Sequence, residues 1–316
     1  MPPCRTVGAT EHRRTGLHGL GNLLTFVTLK KIDTMTTNQL FRELKSRIEA
    51  CYERHEADAI ALMVMEEVLH YSRVDVLLRG DVEQDEVFAN RIRHMAQRLC
   101  DGEPIQYILG HTTFHGHSFR VTPATLIPRP ETEHLVDIIV DDAGGEADLR
   151  VLDIGTGSGC IAISIALALK WPEVTAIDIS EAALKVAQEN AMQLGAQVDF
   201  RLADILSLAP PQDAYHIIVS NPPYVCQSES AEMERHVLEH EPASALFVPD
   251  ADPLIFYRAI AAFAQVALLP GGHLYFEINR RFGTEICHLL LNRGFEAAEV
   301  INDPFGAPRY VKARKK

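Results

Sequence analysis

Val151-Leu152-Asp153-Ile154 runs directly into Gly155-Thr156-Gly157-Ser158-Gly159, and the reading of this stretch decides the fold. Three apolar residues around one Asp form a buried strand, and the glycines let the backbone turn tightly against a ligand that a side chain would exclude. A nucleotide-like cofactor belongs at such a turn. Downstream, apolar runs at 174–179, 198–203, 216–220, 273–278, 295–301 and 309–313 join the strand at 150–154, with helical patterns near 159–169, 181–193, 253–268 and 282–292. This alternation argues for a parallel sheet covered on both faces. Only Asn302–Pro308 separates the last two strands, too short for a parallel crossover, so the final strand runs antiparallel to its predecessor. The expected fold class is α/β, a seven-stranded, mostly parallel, Rossmann-like sheet with an antiparallel last strand, preceded by a small helical domain.

The strand beginning at Val174 leads to Asp178, 23 residues beyond Gly155, where a carboxylate accepts ribose hydroxyls. The third strand leads to Asp204, placed to receive an adenine amino group, with Ile205 and Leu206 as apolar cover for the ring. Glycines followed by an acidic residue also suit a dinucleotide site. The spacing here, however, is G-x-G-x-G and not the G-x-G-x-x-G of dehydrogenases. On plainer readings Asp178 caps the next helix and Asp204 is a loop residue.

The apolar run His216-Ile217-Ile218-Val219 leads to Asn221-Pro222-Pro223-Tyr224, at the strand end where open α/β sheets bind ligands. The Asn side chain offers a carbonyl oxygen. Two prolines lack amide hydrogens and stiffen the loop, leaving main-chain carbonyls free to accept hydrogen bonds. Such a corner holds an NH2 group, and the following Tyr224 is suited to stack on a flat amide or nucleobase. The substrate implied is a planar amine or amide nitrogen. His216 and His240 are candidate bases, although a lone His is more often structural.

Upstream, Leu40, Leu44 and Ile48, then Ile60, Val64 and Val68, then Phe88, Ile92, Met95 and Leu99 recur at helical spacing. They predict a small helical domain over 35–110, opened at Met35-Thr36-Thr37 by a capped start. A linker hairpin over 111–128 follows, with Thr112-Thr113-Phe114 and Ser118-Phe119-Arg120-Val121 on either side of His115-Gly116-His117. The remaining 129–316 form the cofactor-binding domain, opened by a helix from Glu131-Thr132-Glu133 after Pro128 and Pro130. Residues 1–34 carry five Lys/Arg against Glu11 and Asp33, a pattern that suits an organellar presequence, but the capped start at Met35 favours an extension from an early start codon or a disordered tail, outside the fold. The net charge is −13, so the rest of the chain carries −16, which weighs against a dedicated nucleic-acid enzyme. No apolar run reaches the ~20 residues of a membrane span. Six cysteines without a C-x-x-C pair indicate neither zinc nor disulfides and fit a reduced cytoplasmic setting. Cys226, just behind the Asn-Pro-Pro-Tyr turn, is the cysteine nearest the chemistry.

With Gly155–Gly159, Asp178 and Asn221–Tyr224 in one seven-stranded frame, the chain resembles class I methyltransferases that act on an NH2 nitrogen, for which the antiparallel seventh strand is characteristic. Methyltransferases of adenine in nucleic acid, of guanine in ribosomal RNA and of glutamine in proteins share the tetrapeptide. The segments Asp101–Gly110, Leu126-Ile127-Pro128-Arg129-Pro130-Glu131-Thr132-Glu133, Glu239-His240-Glu241-Pro242 and Asp303-Pro304-Phe305-Gly306 resemble the release factor glutamine methyltransferases, the HemK/PrmC family, over about 36–313. The related methyltransferase of a large-subunit ribosomal protein shares the core but reads differently around 129–133.

The resemblance implies methyl transfer from S-adenosylmethionine, with S-adenosylhomocysteine as product, to the side-chain amide of the glutamine in a Gly-Gly-Gln loop of a peptide chain release factor. It implies cofactor contacts at Gly155, Thr156, Gly157, Ser158, Gly159, Asp178, Asp204, Ile205 and Asn221. Asn221 and the Pro222 carbonyl would align the nitrogen, Pro223 would stiffen the cradle and Tyr224 would pack over the amide. No metal is needed, because the sulfonium already makes the methyl electrophilic. Many family members carry Trp after the adenine-side Asp; Ile205 stands there, implying apolar packing in place of ring stacking. Arg129 and Glu131 either shape the loop over the cofactor, contact the protein substrate or serve the following helix. Competing expectations are an adenine or other nucleic-acid amino-group methyltransferase, a ribosomal-protein glutamine methyltransferase, and a cofactor-binding module without catalysis.

Overall fold

The computed structural model describes residues 34–316, so the expectation placed on the first 34 residues lies, except for Thr34, outside the described residues. The chain enters through Met35-Thr36, paired with Glu83-Gln84, and a capping box starts the first helix. In it Thr36 Oγ1 accepts from the Gln39 amide and the Gln39 side chain accepts from the Thr36 amide, satisfying donors that a helix start leaves orphaned. Helices α1 (Thr37–Ile48), α2 (Arg54–Leu69), α3 (Arg73–Leu78), α4 (Glu86–Cys100) and α5 (Ile105–Leu109) follow. Leu40, Leu44 and Ile48 of α1, Ile60, Val64 and Val68 of α2, and Ile92, Met95 and Leu99 of α4 are all buried in one core. The periodicity predicted this packing; the short α3 and α5 carry too few turns to leave a periodic signal.

A hairpin of His111–Phe114 with His117–Arg120 then turns on His115 and Gly116, both at positive φ. Its Phe114 and Phe119 rings pack edge to face inside the core of the following unit. Helix α6 (Pro130–Ala143) leads into the large sheet. Its strands are β1 (Arg150–Ile154), β2 (Glu173–Asp178), β3 (Val198–Leu202), β4 (Tyr215–Ser220), β5 (Leu268–Glu277), β6 (Phe295–Asn302) and β7 (Pro308–Lys315). The spatial order is β6-β7-β5-β4-β1-β2-β3, and only β7 runs antiparallel to its neighbours. Between β strands lie α7 (Cys160–Ala168), α8 (Glu181–Leu194), α9 (Arg235–His240), α10 (Ala243–Leu246), α11 (Ile255–Ala267) and α12 (Gly283–Asn292).

Side-chain alternation divides the central strands between two apolar layers. Val151, Ile217, Val219 and Tyr275 face Leu135 and Ile139 of α6 and Ile161 and Ile165 of α7. Leu152, Ile154, Ile218, Leu274 and Phe276 face Tyr257, Ile260 and Phe263 of α11 and Ile286 and Leu290 of α12. Burial on both faces explains why these strands read as continuous apolar runs. Strand β5 begins earlier than its apolar run suggests, at Leu268, because a register shift between Leu268 and His273 absorbs Pro270, Gly271 and Gly272.

Leu44 has no exposed surface at the centre of the helical core. Leu44→Ala is therefore expected to cost about 2–5 kcal/mol through lost burial and the cavity left behind, as read by chemical denaturation followed by circular dichroism.

Candidate active site

Parallel pairing of β1 with β4 sets Ile154 opposite Ser220, and the buried Ser220 hydroxyl donates to the Ile154 carbonyl at 2.7 Å. The glycine turn and the Asn221 cradle thereby leave the sheet side by side. Together they line a cavity of about 260 Å³ with Asp178, Asp204, Ile205, Leu206, Phe256 and Ile260.

The turn is held from below and behind. Gly155 and Thr156 amides donate to the Ile177 carbonyl, and the Gly157 amide donates to Asp178 Oδ2 at 2.8 Å. Asp178 Oδ1 accepts from the Ser180 amide at 2.8 Å. Asp178 therefore does two things: it braces the loop and the start of α8, and it keeps a lone pair on each oxygen for a ligand. Gly155 and Gly157 adopt positive φ, and a Cβ at either would meet no protein atom within 4 Å. The space that side chains would take there belongs to the cavity. Gly159 differs, since its Cβ would stand 2.9 Å from Ile163 Cδ1 and 3.1 Å from Ala187 Cβ; it lets α7 pack on α8. An open glycine cradle beside a carboxylate and an apolar slot of Ile205, Phe256 and Ile260 fits a sugar-linked adenine cofactor. Asp204 caps its own turn, with Oδ1 accepting from the Leu206 amide at 2.9 Å, and leaves Oδ2 without an internal bond among those described.

Asn221, Pro222 and Pro223 all line the cavity. Asn221 Nδ2 donates to Thr132 Oγ1 at 3.3 Å, which turns the carboxamide NH2 toward α6 and leaves Oδ1 as an open acceptor. Tyr224 departs from expectation. It does not line the cavity; its hydroxyl donates to Glu277 Oε1 at 3.2 Å and its ring packs on the α11 layer. A phenol at this depth needs a hydrogen-bond partner, and the Glu277 carboxylate at the end of β5 supplies it, drawing the ring behind the Asn221 corner and away from the cavity. Asn279 Nδ2 in turn donates to the Tyr224 carbonyl at 3.2 Å and to Glu229 Oε2 at 3.0 Å, anchoring the loop.

The candidate bases are structural. His216 Nδ1 accepts from the Arg150 amide at 2.9 Å, at the opposite end of the strands from the cavity, and burial lowers its pKa. His240 Nδ1 contacts the His236 carbonyl within α9. Cys226 is buried, and burial raises its thiol pKa.

Sequence reading missed three buried polar anchors. Glu241, whose side chain is fully buried, accepts from the Ile127 amide and from Arg129 Nη2, clamping the extended 124–129 wall of the cavity against the 242–245 wall. Arg129 thus shapes the loop. Asn190 of α8, with no exposed surface, joins the hairpin to the glycine turn through the Arg120 backbone and the Ser158 carbonyl. Glu277 is the third, and its only sequence signal is a charged residue ending an apolar run.

The strand order, the glycine cradle and the Asn-Pro-Pro corner define an S-adenosylmethionine-dependent methyltransferase, and the family model for the methyltransferase small domain matches residues 131–246. The model of the PrmC N-terminal domain matches 39–110. The chain belongs to the release factor glutamine methyltransferase family. The relative of that name from Bacteroides thetaiotaomicron is 42% identical over 279 residues, spanning 88% of this chain and 100% of the relative. Its counterpart from Flavobacterium psychrophilum is 40% identical, spanning 84% and 94%. That from Koribacter versatilis is 44% identical, spanning 69% and 77%.

Asp153, fully buried at the root of the turn, accepts from the Thr156 hydroxyl at 2.6 Å, yet burial pushes its carboxyl from 3.8 up to about 7. The unfolded chain releases this proton near its ordinary value and the folded chain near 7. Stability from this group is thus full below about pH 4 and lost as pH rises toward 7. Asp153→Asn is expected to gain on the wild type by a few kcal/mol across that window, at roughly 1.4 kcal/mol per pH unit, in denaturation midpoints taken from pH 4 to 8.

Proposed function

We propose that this protein methylates the side-chain amide nitrogen (N5) of the glutamine in the Gly-Gly-Gln loop of peptide chain release factors, with S-adenosylmethionine as donor. The observation that carries the reading is Asn221: its NH2 is turned to Thr132, so its Oδ1 is an acceptor beside the glycine cradle in a single cavity. Bound S-adenosylmethionine supplies a methyl made electrophilic by its sulfonium. Gly155, Thr156, Gly157 and Ser158 cradle the cofactor, Gly159, expected there too, serves the packing of α7 on α8 instead, Asp178 takes the ribose, and Asp204 with Ile205 takes the adenine.

An amide nitrogen is a weak nucleophile because its lone pair is delocalised into the carbonyl. Oδ1 of Asn221 and the Pro222 carbonyl each accept one N–H of the substrate carboxamide and hold the nitrogen in line for displacement. Pro222 and Pro223 keep that corner stiff. Tyr224 acts from behind, fixing the loop through Glu277. Residues 35–110 form a recognition domain for the body of the release factor, since a Gly-Gly-Gln loop offers little surface of its own. Residues 111–128 connect it to the catalytic domain at 129–316. The acidic balance of the chain agrees with a protein substrate in place of a nucleic acid, and its cysteine pattern agrees with action in the cytoplasm.

Asn221→Ala is expected to keep cofactor affinity while losing about 100-fold or more in turnover. Transfer of tritiated methyl to a release factor, followed by mass spectrometry of the Gly-Gly-Gln peptide, checks this. Label passing instead to DNA, RNA or a ribosomal protein would overturn the substrate assignment. Normal turnover by Asn221→Ala would overturn the role of the cradle.

A further inference from the structure

Thr132 and Glu277 stand behind Asn221 in a chain of hydrogen bonds. The Thr132 hydroxyl donates to Glu277 Oε2 at 2.7 Å and accepts from Asn221 Nδ2 at 3.3 Å. Both residues are almost wholly buried, and Glu277 does not reach the cavity. A hydroxyl has one proton. With that proton committed to a carboxylate, Thr132 presents only lone pairs to Asn221, and the carboxamide must answer with its NH2 end.

We infer that Glu277, acting through Thr132, is a positioning residue that selects which end of the Asn221 carboxamide faces the substrate. The two ends of a carboxamide have the same shape and opposite hydrogen-bonding character. If Oδ1 turned toward α6, the NH2 would confront the N–H groups of the substrate amide and repel what the site must hold. Proline stiffening of the loop places Asn221 but does not choose between the two ends. The relay makes that choice. It also explains a buried carboxylate that would otherwise destabilise the fold, since burial raises its pKa while Thr132, Arg309 and Tyr224 hold it toward the ionised form.

The inference rests on the reading that Asn221 Oδ1 accepts the substrate N–H. Thr132→Val removes the hydroxyl at nearly constant volume, and Glu277→Met removes the acceptor and frees the Thr132 proton to bond Oδ1. Each is expected to lower kcat about tenfold or more with cofactor Kd changed little, and Thr132→Val is also expected to lower the melting temperature, because it leaves Glu277 Oε2 without its hydroxyl donor. Thr132→Ser, which keeps the hydroxyl, is expected to recover most of that loss. Because the two positions act through one chain, the double variant is expected to lose no more than the worse single variant.

Wild-type kcat in Thr132→Val, or an equal loss in Thr132→Ser, would overturn the relay. So would losses in Thr132→Val and Glu277→Met that multiply in the double variant. If Glu277→Met does not fold, the Thr132 pair decides alone. An inactive Asn221→Ala beside a fully active Thr132→Val would remove the relay and leave the proposed function standing, whereas an active Asn221→Ala would remove that function's cradle itself.

Discussion

Parallel pairing of β1 with β4, closed at its carboxyl end by the Ser220–Ile154 hydrogen bond, is the constraint on which the rest of the site depends. Two segments 66 residues apart in sequence become neighbours because their strands are adjacent in the sheet. The glycine turn leaves one strand and the proline-stiffened corner leaves the other, so the two line one cavity without any loop having to reach across. Apolar layers on both faces hold these strands, and a one-residue slip between them would exchange every buried side chain with the opposite face.

Around this pairing the loops are fixed by buried polar groups, each with partners already in place. Glu241 joins the two walls of the cavity, Asn190 joins the hairpin to the glycine turn, and Glu277 gathers Thr132 and Tyr224 behind the cradle. Such groups are costly to bury and are tolerated when hydrogen-bonded. Catalysis by alignment requires little motion of the aligning groups, and these networks restrict the loops where the strands no longer do.

Much of the architecture was legible from periodicity. Apart from the start of β5, every strand of the large sheet and the four long helices among its connections lie within a few residues of their expected places, because buried strands and amphipathic helices leave strong signals over several residues. The start of β5 was not legible, since Pro270, Gly271 and Gly272 mask a strand that pairs through a bulge. The placement of Asn221 and Pro222 at the cavity was legible, because both stand where a central strand ends. Tyr224 was misplaced, because a sequence position next to the site says nothing about which way a ring points once a buried carboxylate competes for its hydroxyl.

The sequence by itself determined the alternation of strand and helix, the glycine turn, the acceptor-rich corner and the acidic residues at the carboxyl ends of β2 and β3. These depend on local residue chemistry and on short-range periodicity. Only the tertiary structure decided that Arg129 is clamped by Glu241, that Asn190 braces the turn, and that Thr132 and Glu277 stand behind Asn221. Those partners lie 112, 32, 89 and 145 residues apart along the chain. A hydrogen bond needs its two atoms within about 3 Å, and only the closed sheet brings such distant residues that near.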